Sequence, residues 1–410
     1  MQKNIGKLYA KPILILIGIF VLTYFVQYVV QDPRDFLVYH HGTRGVLEGT
    51  RPVYGENSGV GSPMIYRYPP LFLLVFTPLS ILPLQISAAV WVIGKIILLI
   101  VLIRSFYSKV ERSGKVQEWL VPLLLAGPYI VQEFRSGNAQ FFIFAMVALA
   151  LIHLKTHPNA AAFTLATAIN LKVWPLFFIP YLAFKKEWRV TTCILVFTIC
   201  LAMLPMIYFG FSENIQLLEQ WFKQEILPQF ADSQTWFSIS NPPPNQSLRG
   251  VLMRYFTVID YTKLSDTNYQ MIHMASLNPD MVRALCLGLL LVGYAGLLIL
   301  ARARARSFGE VENGVAFCAL VLFETASHFS RVVLLWPAML AGLIVAQHTE
   351  IPKWVRTLIY AALVISIAQP FVPGASSQRL MQVLGFDFWV TSLLTITMAW
   401  ASVTSIFQKK

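Results

Sequence analysis

The chain has 410 residues, 56% of them hydrophobic and only 13% charged, with a formal net charge of +12. So little charge cannot cover a water-soluble surface of this size, and the class predicted is a polytopic membrane protein. The positive charge is spread over connections between apolar runs, which argues against nucleic acid as a partner.

About twelve apolar runs of roughly 15 to 22 residues are candidate spans, some of them short for a full crossing. They lie near 12–30, 85–104, 119–133, 139–154, 160–171, 173–184, 190–209, 282–301, 314–327, 331–347, 354–370 and 384–406. Lys3, Lys7 and Lys11 accompany the first run, and no small-residue cleavage site follows it, so a retained signal anchor is expected. With the N-terminus in the cytoplasm, the connections holding Arg104, Lys109, Arg112, Lys155, Lys185, Lys186, Arg302 and Lys353 fall inside. That basic excess obeys the positive-inside rule and puts both termini in the cytoplasm. The four cysteines all lie within apolar runs and read as buried thiols.

The first outer loop, 31–84, opens with "DPRDFLVYHHGTRGVLEGTRPVYG". Asp32 reads as an N-cap and Pro33 as the first helical residue, with Gly49 ending an interfacial helix. Asp35 has two readings. It is a capping-box-like acid, or, standing at the outer mouth of the bundle, a general base for a hydroxyl acceptor. His40 and His41 point about 100° apart on a helix, so they read as interfacial polar residues rather than metal ligands.

Further along, "FRSGNAQFFIF" sets Asn138 and Gln140 at a helix boundary, as hydroxyl-binding amides or as caps. "AINLKVWPLFF" sets Lys172 between two short apolar segments, with Pro175 unable to continue the preceding helix. A lysine at the centre of a lipid-facing helix costs roughly 2.5–3.5 kcal/mol. Broken backbone at that depth survives only when buried in protein or lining a wet cavity. The charge and the break together predict a cavity open to the outer face; the alternative is a lysine snorkelling at a helix hairpin.

The second outer loop, 210–281, carries the amphipathic "NIQLLEQWFKQEILPQF" and then "SISNPPPNQSLRGVLMRY", a proline-fixed turn at Asn245, Gln246 and Ser247. Last, "FETASHFSRVVLLWP" gathers Glu324, His328 and Arg331 at an outer junction, an anion site or a capped turn. The sequence holds no glycine-rich phosphate loop, CxxC, HExxH or GxSxG.

Taken in order, these segments resemble glycosyltransferase family 87, the polyprenyl-phosphate-mannose-dependent mannosyltransferases of bacterial membranes with the GT-C fold. "DFLVYHHGTRGVLEGTRPVY" resembles the family's first outer loop, with Asp35 and Tyr39, and "YRYPPLFLLVFTPLSILP" its Tyr-Pro-Pro segment. "GNAQFF" stands for a Gly-Gln-x-Asn pattern with Asn138 and Gln140 exchanged. "LKVWP" matches a Lys-x-x-Pro element and "NQSLRG" an Asn-Gln-Ser turn; "SHFSRVVLLWP" is an altered Ser-Pro-x-x-x-His-like element.

The resemblance implies an all-α, GT-C-like bundle of about twelve transmembrane helices, with interfacial helices in two large outer loops, as one domain over 1–410. It implies an inverting hexosyl transfer, of mannose first, from a polyprenyl-phosphate-sugar donor to a glycolipid, glycan or other hydroxyl acceptor at the outer face of a bacterial cytoplasmic membrane. Asp35 would be the base; Lys172, His328 and Arg331 would face the donor phosphate. Tyr39, Tyr66, Arg67, Tyr68, Asn138, Gln140, Asn245 and Gln246 would hold sugar or acceptor. No cofactor or metal is required by this scheme. A transporter or flippase of lipid-linked sugars shares the broken span and the cavity but predicts related halves, which the sequence lacks. A scaffold subunit is the third class.

Overall fold

The computed structural model describes residues 18–31, 35–62, 64–230, 245–258, 269, 272, 274–303, 309–324, 330–347, 351–371 and 375–404. Within them every regular element is helical. In chain order these are α1 (Gly18–Gln31), α2 (Asp35–Leu47), α3 (Pro70–Ser80), α4 (Leu84–Tyr107), α5 (Gln117–Ser136) and α6 (Gln140–His153). Next come α7 (Pro158–Leu171), α8 (Phe178–Phe184), α9 (Trp188–Met203), α10 (Met206–Phe209), α11 (Phe211–Trp221) and α12 (Leu248–Phe256). The last are α13 (Pro279–Ala303), α14 (Glu310–Phe323), α15 (Leu335–Gln347), α16 (Lys353–Phe371), α17 (Ala375–Val383) and α18 (Phe386–Thr404).

Four stretches, α4, α9 continued through α10, α13 and α18, are long and apolar enough to cross a membrane. Their outward faces carry Ile93, Ile97 and Ile100 on α4, Leu195 and Ile199 on α9, and Leu291, Val292 and Ile299 on α13, all exposed. Apolar faces of that extent are stable against lipid and not against water, so this is a membrane protein. The shorter α6 and α15 are apolar around most of their circumference, from Phe141 to Leu151 and from Leu335 to Ile344, and they form the buried centre. At about 21 Å, a fourteen-residue helix such as α6 is too short to match a bilayer alone. It needs no match, because α4 and α7 cover it. Ala161, Ala162, Ala166 and Ala168 on α7 are buried and small, which lets α7 lie close between α6 and α9.

A helix lies on each of the twelve apolar runs, and four stretches have the length to span. The sequence reading had left Pro70–Ser80 inside the first loop. It is instead a helix, started by Pro70 in its first turn and packed on α2. His40 also departs from expectation. It is 2% exposed, and its Nε2 donates to the Leu82 carbonyl at 2.9 Å, so it ties α2 to the turn after α3 rather than sitting at an interface.

Contacts of Asn138 with Asp35, of Lys172 with Tyr68 and of Trp221 with Arg67 bring the connections after α5 and α7 together with α2 and α11. The pairs Lys155–Glu187 and Gln347–Glu111 mark the opposite end of the bundle.

Candidate functional site

Asp35 begins the described part of α2; Asp32 and Pro33, the expected cap and first helical residue, lie outside the described residues. Gly49, with φ +66°, follows the helix as expected. The Asp35 carboxylate is half-buried and accepts a hydrogen bond from Asn138 Nδ2 at 2.9 Å. Asn138 is itself fixed: its Oδ1 accepts the Gln140 N–H at 2.9 Å, closing the entry turn of α6. One side chain thus closes the turn before α6 and holds Asp35. Gln140 points its Oε1 at Trp174 Nε1, 2.8 Å away, and so joins α6 to the short 3-10 turn beyond Lys172.

One helical turn after Asp35, the Tyr39 hydroxyl lies 2.6 Å from that of Tyr68 and accepts the Ala139 N–H at 3.3 Å. Burial raises both phenols well above the ordinary tyrosine range, and the Asp35 carboxylate adds to this. They stay protonated at neutral pH and act as neutral hydrogen-bonding groups. Lys172 joins this pair, its Nζ 5.3 Å from the centre of the Tyr68 ring. The predicted break is present. α7 stops at Leu171, Lys172 is extended (φ −158°, ψ 141°), and Trp174–Phe177 form a 3-10 turn before α8. Tyr66 is buried; its hydroxyl has no hydrogen-bond partner among the described residues.

A strap from the second loop closes over this group. Trp221 Nε1 donates to the Arg67 carbonyl at 3.3 Å, and Gln224 Nε2 to the Tyr66 carbonyl at 2.8 Å. Glu225 pairs with Arg67 at 3.2 Å and feels Lys172. The Gln224 and Glu225 contacts fall at Phe222–Ile226, where the helix widens into a π-type turn, a local irregularity that often marks a functional position. Nothing in the sequence reading singled out Glu225.

Burial holds the Glu225 carboxyl above the usual carboxylate range, with Arg67 opposing. A raised carboxyl contributes stability in acid that is lost as pH rises through its folded value. Glu225→Gln is therefore expected to gain thermal stability relative to the wild type between about pH 5 and pH 8. An equal difference at both pH values, read from unfolding midpoints, would refute the desolvated Glu225.

The remaining expected residues sit elsewhere or are not described. Ser247 caps α12, its hydroxyl accepting the Gly250 N–H at 3.2 Å. Asn245 gives its carbonyl to Arg254 at 2.7 Å, and Gln246 Nε2 donates to the Gln382 carbonyl at 2.7 Å. The Gln246 bond, with that of Arg254 Nε to the Val383 carbonyl at 3.1 Å, ties α12 to α17. Arg331 is buried and ion-paired with Asp387, whose other oxygen accepts the Tyr129 hydroxyl at 2.7 Å. His328 lies outside the described residues.

A family model, "Glycosyltransferase family 87", matches residues 66–327. The chain belongs to glycosyltransferase family 87. This family 87 protein is thus a membrane glycosyltransferase, an enzyme that needs a sugar donor and an acceptor. The matched segment takes in Tyr66, Tyr68, Asn138 and Lys172; Asp35, Tyr39 and Arg331 lie beyond its limits. No curated protein and no solved structure matches the chain.

Proposed function

We propose that this family 87 enzyme moves a hexose, mannose by the family resemblance, from a polyprenyl-phosphate-sugar to a hydroxyl acceptor at the outer face of a bacterial cytoplasmic membrane. In this reading the chain is one GT-C-like domain. The polyprenyl tail remains in lipid, where each buried methylene contributes about 0.8 kcal/mol. The Asp35 carboxylate takes the acceptor's proton as its oxygen attacks the anomeric carbon. The bond from that carbon to the phosphate oxygen breaks on the opposite face, and configuration inverts. The leaving polyprenyl phosphate gains negative charge, which Lys172 stabilises. Arg331 already has its charge matched by Asp387, so the scheme rests on Lys172 as the cation. Arg67, Tyr66 and the Tyr39–Tyr68 pair hold sugar or acceptor hydroxyls. No metal is needed for these steps.

The observation that carries the reading is what meets around the tyrosine pair: a carboxylate held by Asn138 one helical turn before Tyr39, and Lys172 of the unwound helix against the Tyr68 ring. An acid and a cation near one pair of protonated phenols match a reaction that removes a proton and releases a phosphate. The exposed apolar faces of α4, α9 and α13 place the protein in the same bilayer that would hold the donor's tail. Basic connections at the far end of the bundle support the outward orientation.

The test is transfer by the purified enzyme in vesicles, from labelled polyprenyl-phosphate-mannose to octyl mannoside or to a total bacterial lipid extract. Labelled product is expected from the wild type. Lys172→Gln should lower kcat by about 10²–10³-fold, the range for removing one preorganised group that stabilises a leaving oxyanion. A labelled lipid that crosses the vesicle bilayer with no sugar transferred would replace this reading with a transporter.

A further inference from the structure

A buried ion pair that the scheme above leaves unused stands behind the Asn138 turn. Lys95, near the middle of α4, is fully buried, and Glu133, in the last turn of α5, is 2% exposed. Lys95 Nζ donates to the Glu133 carbonyl at 2.8 Å and to its Oε1 at 3.3 Å. The same Oε1 accepts the Phe141 N–H at 2.9 Å, in the first turn of α6. Trp91, one turn before Lys95 on the same face of α4, donates its Nε1 to the Gly137 carbonyl at 2.9 Å. Three bonds from these side chains thus fix both ends and the middle of the connection between α5 and α6.

That connection holds the site residue. Gly137 is left-handed, φ +67°, and a Cβ there would come within 2.7 Å of the Phe36 Cβ, so α2 is pressed directly onto the turn. Asn138 follows, its Oδ1 used within the turn and its Nδ2 on Asp35. Asp35 acts electrostatically on both members of the pair, a sign of their proximity. Fold stability is a poor reason for such a pair, since apolar replacements of buried ion pairs are often neutral or stabilising. Polar geometry at a fixed spot is a better one.

We propose that Lys95 and Glu133 are positioning residues for the transfer reaction: they lock the 136–140 turn so that Asn138 keeps the Asp35 carboxylate aimed. The inference rests on Asp35 being the base. It adds that the base is held from inside the bundle, by charges on two helices that never touch substrate.

The test is Lys95→Met combined with Glu133→Gln, which removes both charges at once and keeps an acceptor for the Phe141 N–H. The double variant is expected to keep its unfolding midpoint and its KM for polyprenyl-phosphate-mannose, while kcat falls by about 10²-fold, the size of effect a misplaced reacting group produces. The acid limb of its kcat–pH profile should move to higher pH, because a carboxylate that loses a hydrogen bond is harder to ionise. Wild-type kcat with an unmoved acid limb would overturn the proposal and leave the pair as scaffold. If the double variant does not fold, Lys95→Arg keeps the charge and shifts the donor. A lower kcat at unchanged donor KM then supports the proposal, and an unchanged kcat overturns it. Asp35→Asn is run alongside: full turnover there removes the base itself, a failure distinct from that of the pair.

Discussion

Asp35→Asn is expected to lower kcat by about 10²–10⁴-fold, the usual contribution of a positioned general base. The substitution is nearly isosteric, and an amide oxygen at that position can still accept from Asn138 Nδ2. What it cannot do is take a proton from an attacking hydroxyl. Donor affinity should hold, because in the proposed scheme the donor phosphate faces Lys172 and not the base. Thermal stability should also hold, since Asp35 is only half-buried and its bond to Asn138 survives. Binding of labelled polyprenyl-phosphate-mannose, measured beside the transfer rate, separates these outcomes. Undiminished transfer returns Asp35 to the helix-capping role that its place at the start of α2 equally allows.

The second large effect concerns stability. Arg331→Met should destabilise the protein by about 3–5 kcal/mol, because it strands the buried Asp387 carboxylate without its counter-ion. The Tyr129 hydroxyl, at 2.7 Å, supplies a hydrogen bond but no charge. Arg331→Met together with Asp387→Leu should recover most of the loss, since a pair replaced by apolar side chains leaves no buried charge behind. Unfolding midpoints in detergent measure both. The recovered double variant also decides the role of Arg331. A folded protein that still binds donor assigns Arg331 to the junction of α5, α15 and α18; one that folds but binds no donor assigns it to the phosphate. A single variant as stable as the wild type would mean that Asp387 is not held by Arg331 at all.

Much of the frame can be read directly from the chain. Apolar runs with basic connections mark the helices, since lipid demands that backbone groups be satisfied within each segment. Pro175 after Lys172 marks the break, since a proline cannot give its nitrogen to the helix. Asn245-Gln246-Ser247 marks a turn, and Ser247 caps the helix that follows it. The residues that escaped notice are those whose meaning depends on a distant partner. Lys95 and Glu133 were hidden inside runs read as spans, although an intramembrane charge is itself a signal of function. Glu225 lay among ordinary polar residues of an amphipathic strap, and only the approach of Arg67, 158 positions earlier, gives it a role. The α3 helix was passed over because its Tyr-Pro-Pro start resembles a loop. Asn245, expected beside the sugar on sequence grounds, bonds to Ser247 and to Arg254 of α12, and Gln246 to Gln382 on α17.

The amino-acid sequence by itself determined the membrane setting, the helix sites, the interruption at Lys172 and, through ordered short motifs, the likeness to family 87. Hydrophobic length, proline chemistry and motif order are properties of neighbouring residues, and they need no fold to be read. Tertiary structure alone decided which polar groups meet: Asn138 on Asp35, Tyr39 on Tyr68, Lys95 on Glu133, Asp387 on Arg331. Those choices are made by helix packing, because a charge taken out of water must find its partner wherever the bundle brings one within reach. Should Asp35 prove dispensable for sugar transfer, the acid-and-cation geometry would keep its place in the fold and lose its chemistry.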